Sequence, residues 1–379
     1  MRFTRGGDVV HLSYCTNVHA AEDLDGILRQ LDEYAVPIRR RLGTEVLGLG
    51  LWLAAPVAAG LAGDVAARQR LRAALDARGL EVVTLNAFPY QSFQAPVVKH
   101  AVYQPDWTTA HRLAYTMDCA VVLGDLLPDD AAYGSISTLP LAWRDPWDAG
   151  RAAACRRALD ELAAGLHRLP RPIRVAFEPE PGCIIETTQE AVALLGEADT
   201  SVLGVCLDLA HLACAWEDPT EALARLRAAR LPVVKTQISA ALASAEPRKH
   251  RRTLAHYVEQ RFLHQTRSPR GFAADDLDEA LAAGEAGKTG DDPWRVHFHV
   301  PLHQPPEPPL TSTVGVLADG LRAILDDPAG CAHFDVETYT WAVLPPASRP
   351  SGPEELAAGL ASELFFARAQ LTALGLTPA

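Results

Sequence analysis

Ile173-Arg174-Val175-Ala176-Phe177-Glu178-Pro179-Glu180, then an apolar-periodic run opened by Thr187-Thr188 and reaching Glu197, then Leu203-Gly204-Val205-Cys206-Leu207-Asp208-Leu209-Ala210-His211, decide the architecture of this chain. Each outer run contains a strand-length stretch rich in Val, Ile, Leu and Phe that leads into a carboxylate, Glu178 in the first and Asp208 in the second. The stretch between them has a threonine cap and helical spacing. Strand, crossover helix and second strand is the unit of a parallel sheet. Working outward, the same rhythm recurs. Val9–Cys15, Val46–Leu53, Val82–Phe88 and Gly134–Leu139 read as strands one to four, Val233–Ile238 as strand seven and His333–Tyr339 as strand eight. Helices are expected between them over 21–41, 66–78, 108–127, 148–167, 219–230 and 313–326, with a closing helix over 355–374. Pro37 puts the last turn of the first helix in question. Eight βα units predict an α/β chain closed into a (β/α)8 TIM barrel, one domain over 1–379. An open doubly wound sheet is the alternative. It is disfavoured because no glycine-rich dinucleotide turn follows the first strand.

The rhythm breaks after strand seven. Residues 240–310 form a long insertion, far beyond the two-to-six-residue βα loop that is usual. The segment holds six of the chain's 13 histidines, among them His264, His297, His299 and His303, with Tyr257, Phe262, Phe272, Trp294 and Phe298. Loops of this length on a barrel's C-terminal face serve as lids or binding walls, so a lid over the mouth is expected, with contacts between two copies of the chain as the alternative use. Val296–Val300 is strand-like but is assigned to the mouth beside strand seven, outside the barrel wall.

The net charge is −12, and the densest basic run, Arg248-Lys249-His250-Arg251-Arg252, is short. An acidic surface offers no broad footprint for nucleic acid. No apolar run is long enough for a membrane span, and the N-terminus has no apolar signal core, only a brief Val9–Leu12 stretch, so a cytoplasmic protein is expected. The seven cysteines form no C-x-x-C pair and read as buried, reduced thiols.

Catalytic residues of a barrel sit where its strands end. Here strand five ends at Glu178, strand six at Asp208-x-x-His211, strand seven at Lys235-Thr236-Gln237 and strand eight at Glu337. Carboxylates following apolar residues on neighbouring strands are costly without a counter-charge, and a shared divalent cation supplies one. Glu178, Asp208, Gln237 and Glu337 are the candidate metal ligands, with His297 and His299 as further candidates, for Mn or Zn first and Mg or Co second. Glu178 and Glu337 are the candidate proton-transfer pair, His211 a group that orients a hydroxyl, and Lys235 a positive charge beside an oxyanion.

The series Glu178, Asp208-x-x-His211, Gln237 and Glu337 resembles the strand ends of the xylose isomerase-like TIM barrels, a superfamily of sugar and sugar-phosphate isomerases and epimerases. That resemblance implies a metal held by Glu, Asp, His and Glu from strands five to eight. Gln237 departs from it, standing where a histidine is common. The runs 134–140 (GSISTLP), 235–239 (KTQIS), 297–301 (HFHVP) and 336–341 (VETYTW) are also similar to EboE-type metabolite traffic proteins of bacterial ebo clusters, which implies a cyclitol-like small molecule. The function expected is metal-dependent isomerisation or epimerisation of a polyhydroxy carbonyl compound through an enediolate. A non-catalytic carrier of such a metabolite and a metal-dependent hydrolase are the alternatives.

Overall fold

The computed structural model describes residues 1–327 and 330–379. Eight parallel strands close on themselves: β1 (Asp8–Cys15), β2 (Leu47–Trp52), β3 (Leu80–Ala87), β4 (Gly134–Thr138), β5 (Ile173–Phe177), β6 (Leu203–Asp208), β7 (Val233–Ile238) and β8 (His333–Val336). Closure is explicit, because β8 pairs in parallel with both β7 and β1. The chain is a TIM barrel of the α/β class, and the open-sheet alternative is excluded. Its strands are buried on nearly every residue, as a parallel sheet covered by helices requires.

The connecting helices start where the sequence signals lie. Thr187 and Glu190 form a reciprocal capping box at the helix Thr188–Leu195. Asp148 caps Ala149–Leu166 through the Arg151 amide, and Asp218 caps Pro219–Ala228 through that of Glu221. The first helix does reach Leu42, but as α (Leu24–Gln30), one π turn (Leu31–Ala35) and α again (Val36–Leu42). The wider turn sits just before Pro37, whose missing N–H and ring would clash with regular α geometry. Two features escape the βα pattern. Arg2–Arg5 pairs antiparallel with β1 and with Thr377–Pro378, joining the two ends of the chain across the N-terminal mouth. An extra helix, Ala55–Gly63, follows β2.

The insertion after β7 carries its own five-stranded antiparallel sheet, in the order 273–274, 266–267, 294–299, 241–244, 311–312. Trp294–His299 is its central strand and lies outside the barrel wall. Asp276 caps the insertion's helix, Leu277–Glu285. All seven cysteines are buried and free. Among the described residues no helix is long and apolar enough to cross a membrane.

Candidate metal centre and cleft

Strand register brings the polar strand ends together. Asp208 lies opposite Gln237 in the β6–β7 pair, and Gln237 opposite Asp335 in the β7–β8 pair. Glu337 is therefore one pleat beyond, facing the mouth. Its carboxylate accepts three amides: Asn17 Nδ2 at 2.7 Å, Asn86 Nδ2 at 2.9 Å and Gln237 Nε2 at 3.0 Å. Glu178 leaves β5 with its amide bonded to Thr138 O at 3.0 Å. Asp208 caps the short helix Leu209–Cys214, its Oδ1 accepting from the amides of Ala210 and His211 and from Ser239 Oγ.

The helix turn carries His211 over these acids. Its Nδ1 donates to Pro179 O at 2.8 Å, and its Nε2 lies 3.2 Å from Glu180 Oε2 and 3.8 Å from Asp208 Oδ1. Burial opposes a charge on this ring, but Asp208, Glu180 and Glu178 overcome it and raise its pKa to about 9. The acids respond in the opposite sense. Burial and the charge of Glu337 push Glu178 well above the carboxylate range, and burial with Asp208 pushes Glu337 up to about 8. Burial raises Glu180 to about 7, against the pull of His211 and of the Tyr103 hydroxyl 2.9 Å away.

The insertion adds two imidazoles from its central strand. His299 Nδ1 donates to Glu337 O at 2.8 Å, so the neutral ring carries its lone pair on Nε2. That atom lies 4.0 Å from Asp208 Oδ2. Burial lowers the His299 pKa to about 4, opposed by Asp208. His297 is bonded through Nδ1 to Gln265 Oε1 at 2.8 Å, and burial with His211 holds its pKa well below 6.5.

Four buried acceptors at this point have no hydrogen-bond partner among the described residues: Glu178 Oε2, Asp208 Oδ2, Gln237 Oε1 and His299 Nε2. Each would cost about 1–3 kcal/mol if left so. Ligand atoms of Glu178, Asp208 and His211, of Asp208, His299 and Glu337, and of His211, His297 and His299 form three groups whose members lie within 4.8 Å of one another. Oxygen and imidazole donors with unsatisfied lone pairs fit a divalent cation. Gln237 offers an amide oxygen where an imidazole was expected, and His299 brings an imidazole to the same set of acids from outside the barrel.

Lys235 is placed differently from the sequence expectation. Its Nζ pairs with Asp335 Oδ2 at 2.9 Å and lies 3.3 Å from Ser137 Oγ, fully buried one pleat below Gln237. It does not line the cleft. Gly50 makes room for the pair, since a Cβ there would stand 2.1 Å from Asp335 Oδ2. A charge already matched by an adjacent carboxylate has little left for a substrate oxygen.

Above the acids lies a cleft that opens to solvent. Asn17, Asn86, Glu178, Glu180, His211 and Glu337 supply its polar floor. Phe88, Phe93, Tyr103, Phe262 and Tyr339 supply aromatic walls, with Phe262, Leu263 and His297 contributed by the insertion. Sequence reasoning missed Asn17, Asn86 and Glu180. The first two follow β1 and end β3, and the strand-end test applied to all eight strands instead of the last four points to them.

A family model described as a xylose isomerase-like TIM barrel matches residues 42–256, and the chain belongs to that family. No curated protein sequence matches it. Similar solved structures include D-allulose 3-epimerase from Methylomonas sp. (14% identity, 98% of this chain and 100% of that one, TM-score 0.52). D-psicose 3-epimerase from Clostridium cellulolyticum H10 has 13% identity over 96% and 99% of the two chains, with a TM-score of 0.51. A xylose isomerase-like TIM barrel protein from Mycobacterium smegmatis, in complex with magnesium, has 12% identity over 96% and 98%, with a TM-score of 0.51. At these identities the likeness is one of fold.

Proposed function

We propose that the protein is a metal-dependent isomerase or epimerase acting on a small polyhydroxy carbonyl compound. The observation that carries this reading is the set of partnerless buried acceptors, Glu178 Oε2, Asp208 Oδ2, Gln237 Oε1 and His299 Nε2, beneath a polar-floored cleft. Glu178, Asp208 and Glu337 would hold one divalent cation, Mn or Zn first and Mg or Co second, with Gln237 or His299 completing the set. When bound, the cation supplies Lewis acidity toward a carbonyl and its neighbouring hydroxyl.

The protein's own groups do the rest. Glu178 and Glu337 come from β5 and β8 and both line the cleft, so each can face one side of a carbon lodged between them. One removes the proton next to the carbonyl, and the other returns a proton to the opposite face or the neighbouring carbon, giving an enediolate between the two steps. The His211 N–H and the Glu180 carboxylate are placed to fix a substrate hydroxyl. The aromatic walls exclude water. The reaction class agrees with the names of the Methylomonas and Clostridium neighbours. A cyclitol-type substrate and kinship with EboE-type metabolite traffic proteins rest on the motifs 134–140, 235–239, 297–301 and 336–341 alone.

Solvent-deuterium exchange tests the reading: manganese-loaded protein incubated with ketohexoses, ketohexose phosphates and inososes in heavy water should label the carbon beside the carbonyl of at least one compound. No label in any of them removes catalysis and leaves a carrier. A hydrolase with a second cation is favoured by one observation, the imidazole group His211, His297 and His299 beside the acids. Two metal equivalents per chain by elemental analysis would turn the reading to it.

A further inference from the structure

The cleft's charges and walls bear on which polyhydroxy compounds it accepts. Lys99 is the one lysine or arginine among the described residues that line it. Its ammonium is fully engaged: it pairs with Asp276 and donates to Phe262 O at 2.8 Å and Glu259 O at 3.1 Å. All three partners belong to the insertion, so the lysine fastens that segment to the barrel. The other cleft cation, His211, already faces Glu178, Glu180 and Asp208. Three carboxylates line the floor, Glu178, Glu180 and Glu337. A phosphate carries about −1.5 to −2 charge at neutral pH and needs free N–H donors or an unpaired cation. Here it would meet acids and aromatic rings. Phe93, Phe262 and Tyr339 pack as a group with centroids 4.8–5.4 Å apart, a surface for the C–H face of a ring or chain.

We infer that the cleft takes an uncharged, unphosphorylated polyhydroxy ketone or aldehyde, and that the Lys99–Asp276 pair sets this choice by cancelling the one cation that could receive a phosphate. The inference rests on the isomerase reading for the carbonyl and stands apart from it for the charge.

The test is calorimetric binding to the manganese-loaded full chain. The probes are D-fructose, D-tagatose, D-allulose and an inosose, against D-fructose 6-phosphate, D-tagatose 6-phosphate and orthophosphate. At least one uncharged compound should bind, and the phosphate of any bound sugar should bind at least tenfold more weakly, with orthophosphate silent. In Asp276→Asn the helix cap survives, since asparagine caps as well as aspartate, but Lys99 loses its counter-charge. The gap between sugar and sugar phosphate should then narrow at least threefold with the free-sugar affinity unchanged. A phosphate ester binding as tightly as its parent sugar, failure of every uncharged probe, or an unchanged gap in Asp276→Asn overturns the inference. Deuterium exchange on the same compounds separates the two claims. Label entering only phosphate esters sinks this inference and keeps the isomerase, whereas binding of free sugars without label does the reverse.

Discussion

His299 Nε2 stands 4.0 Å from Asp208 Oδ2, and neither atom has a hydrogen-bond partner among the described residues. One residue comes from the insertion's central strand and the other from the end of β6. A lone pair and a carboxylate oxygen facing each other across that gap, both buried, are stabilised by a cation between them. His299→Ala should therefore weaken manganese or zinc affinity at least about tenfold, the scale seen for groups that support a metal site. Calorimetric titration of the apo protein checks it. Unchanged affinity would place His299 outside the ligand set.

Glu337→Gln should keep the fold and lose the metal. The carboxylate is buried among Asn17, Asn86 and Gln237, whose side-chain amides can each turn oxygen for nitrogen. A neutral isostere also relieves the repulsion with Asp208, and that felt by Glu178. The apo variant should melt at or above the apo wild type, with metal content reduced. A variant that unfolds yet still binds metal when refolded would contradict this.

Metal removal should lower stability. With free metal at about a hundred times its Kd, the bound protein gains about 2.7 kcal/mol over the apo form. Chelation should therefore lower Tm and expose the insertion to protease, since His299 ties that segment to the acids. A melting curve indifferent to chelator would count against a resident cation.

Glu363 shows how the site is held from behind. Fully buried on the closing helix Pro353–Ala373, it accepts Thr338 Oγ1 at 2.6 Å, Leu302 N at 3.1 Å and Trp341 Nε1 at 3.1 Å. It thus joins the loop after Glu337 to the insertion's proline-rich turn. Glu363→Ala leaves three buried donors unpaired, at about 1–3 kcal/mol each. A loss of at least about 3 kcal/mol in urea unfolding is expected, and a loss below 1 kcal/mol would mean that water replaces the carboxylate.

The pH dependence of stability has a defined sign for His19. Burial lowers its pKa to about 3, and it stacks on Tyr34 at 4.0 Å. The unfolded chain therefore binds the proton between about pH 6.5 and 3 while the folded chain does not. Its contribution is complete above pH 6.5 and falls by up to about 1.4 kcal/mol per pH unit below it. His19→Phe should flatten the stability profile between pH 6.5 and 4, measured by urea unfolding at each pH. An unchanged slope would assign the acid sensitivity to the other buried histidines.

The barrel was legible because its signals are local: apolar runs of strand length, and Thr187 and Asp148 at helix starts. The long-range closure of β8 on β1 followed from the count of units. The insertion's sheet was not legible beyond one strand. Its partners are as short as two residues, at 266–267, 273–274 and 311–312, and too short for any periodicity. The convergence of Glu178, Asp208, Gln237 and Glu337 could be anticipated from strand ends, whereas the direction of Lys235 depended on Asp335 and on the space left by Gly50. Glu180 was visible in the sequence but carried no signal apart from its neighbour Glu178. Its contacts with Tyr103, His211 and His297 mark it.

Anomalous diffraction from crystals grown with manganese decides whether a cation sits among these acids. One strong peak is expected, enclosed by Glu178, Asp208 and Glu337, with His299 Nε2 or Gln237 Oε1 turned toward it. A fully ordered cleft with no peak there, or manganese bound only elsewhere on the molecule, would contradict it.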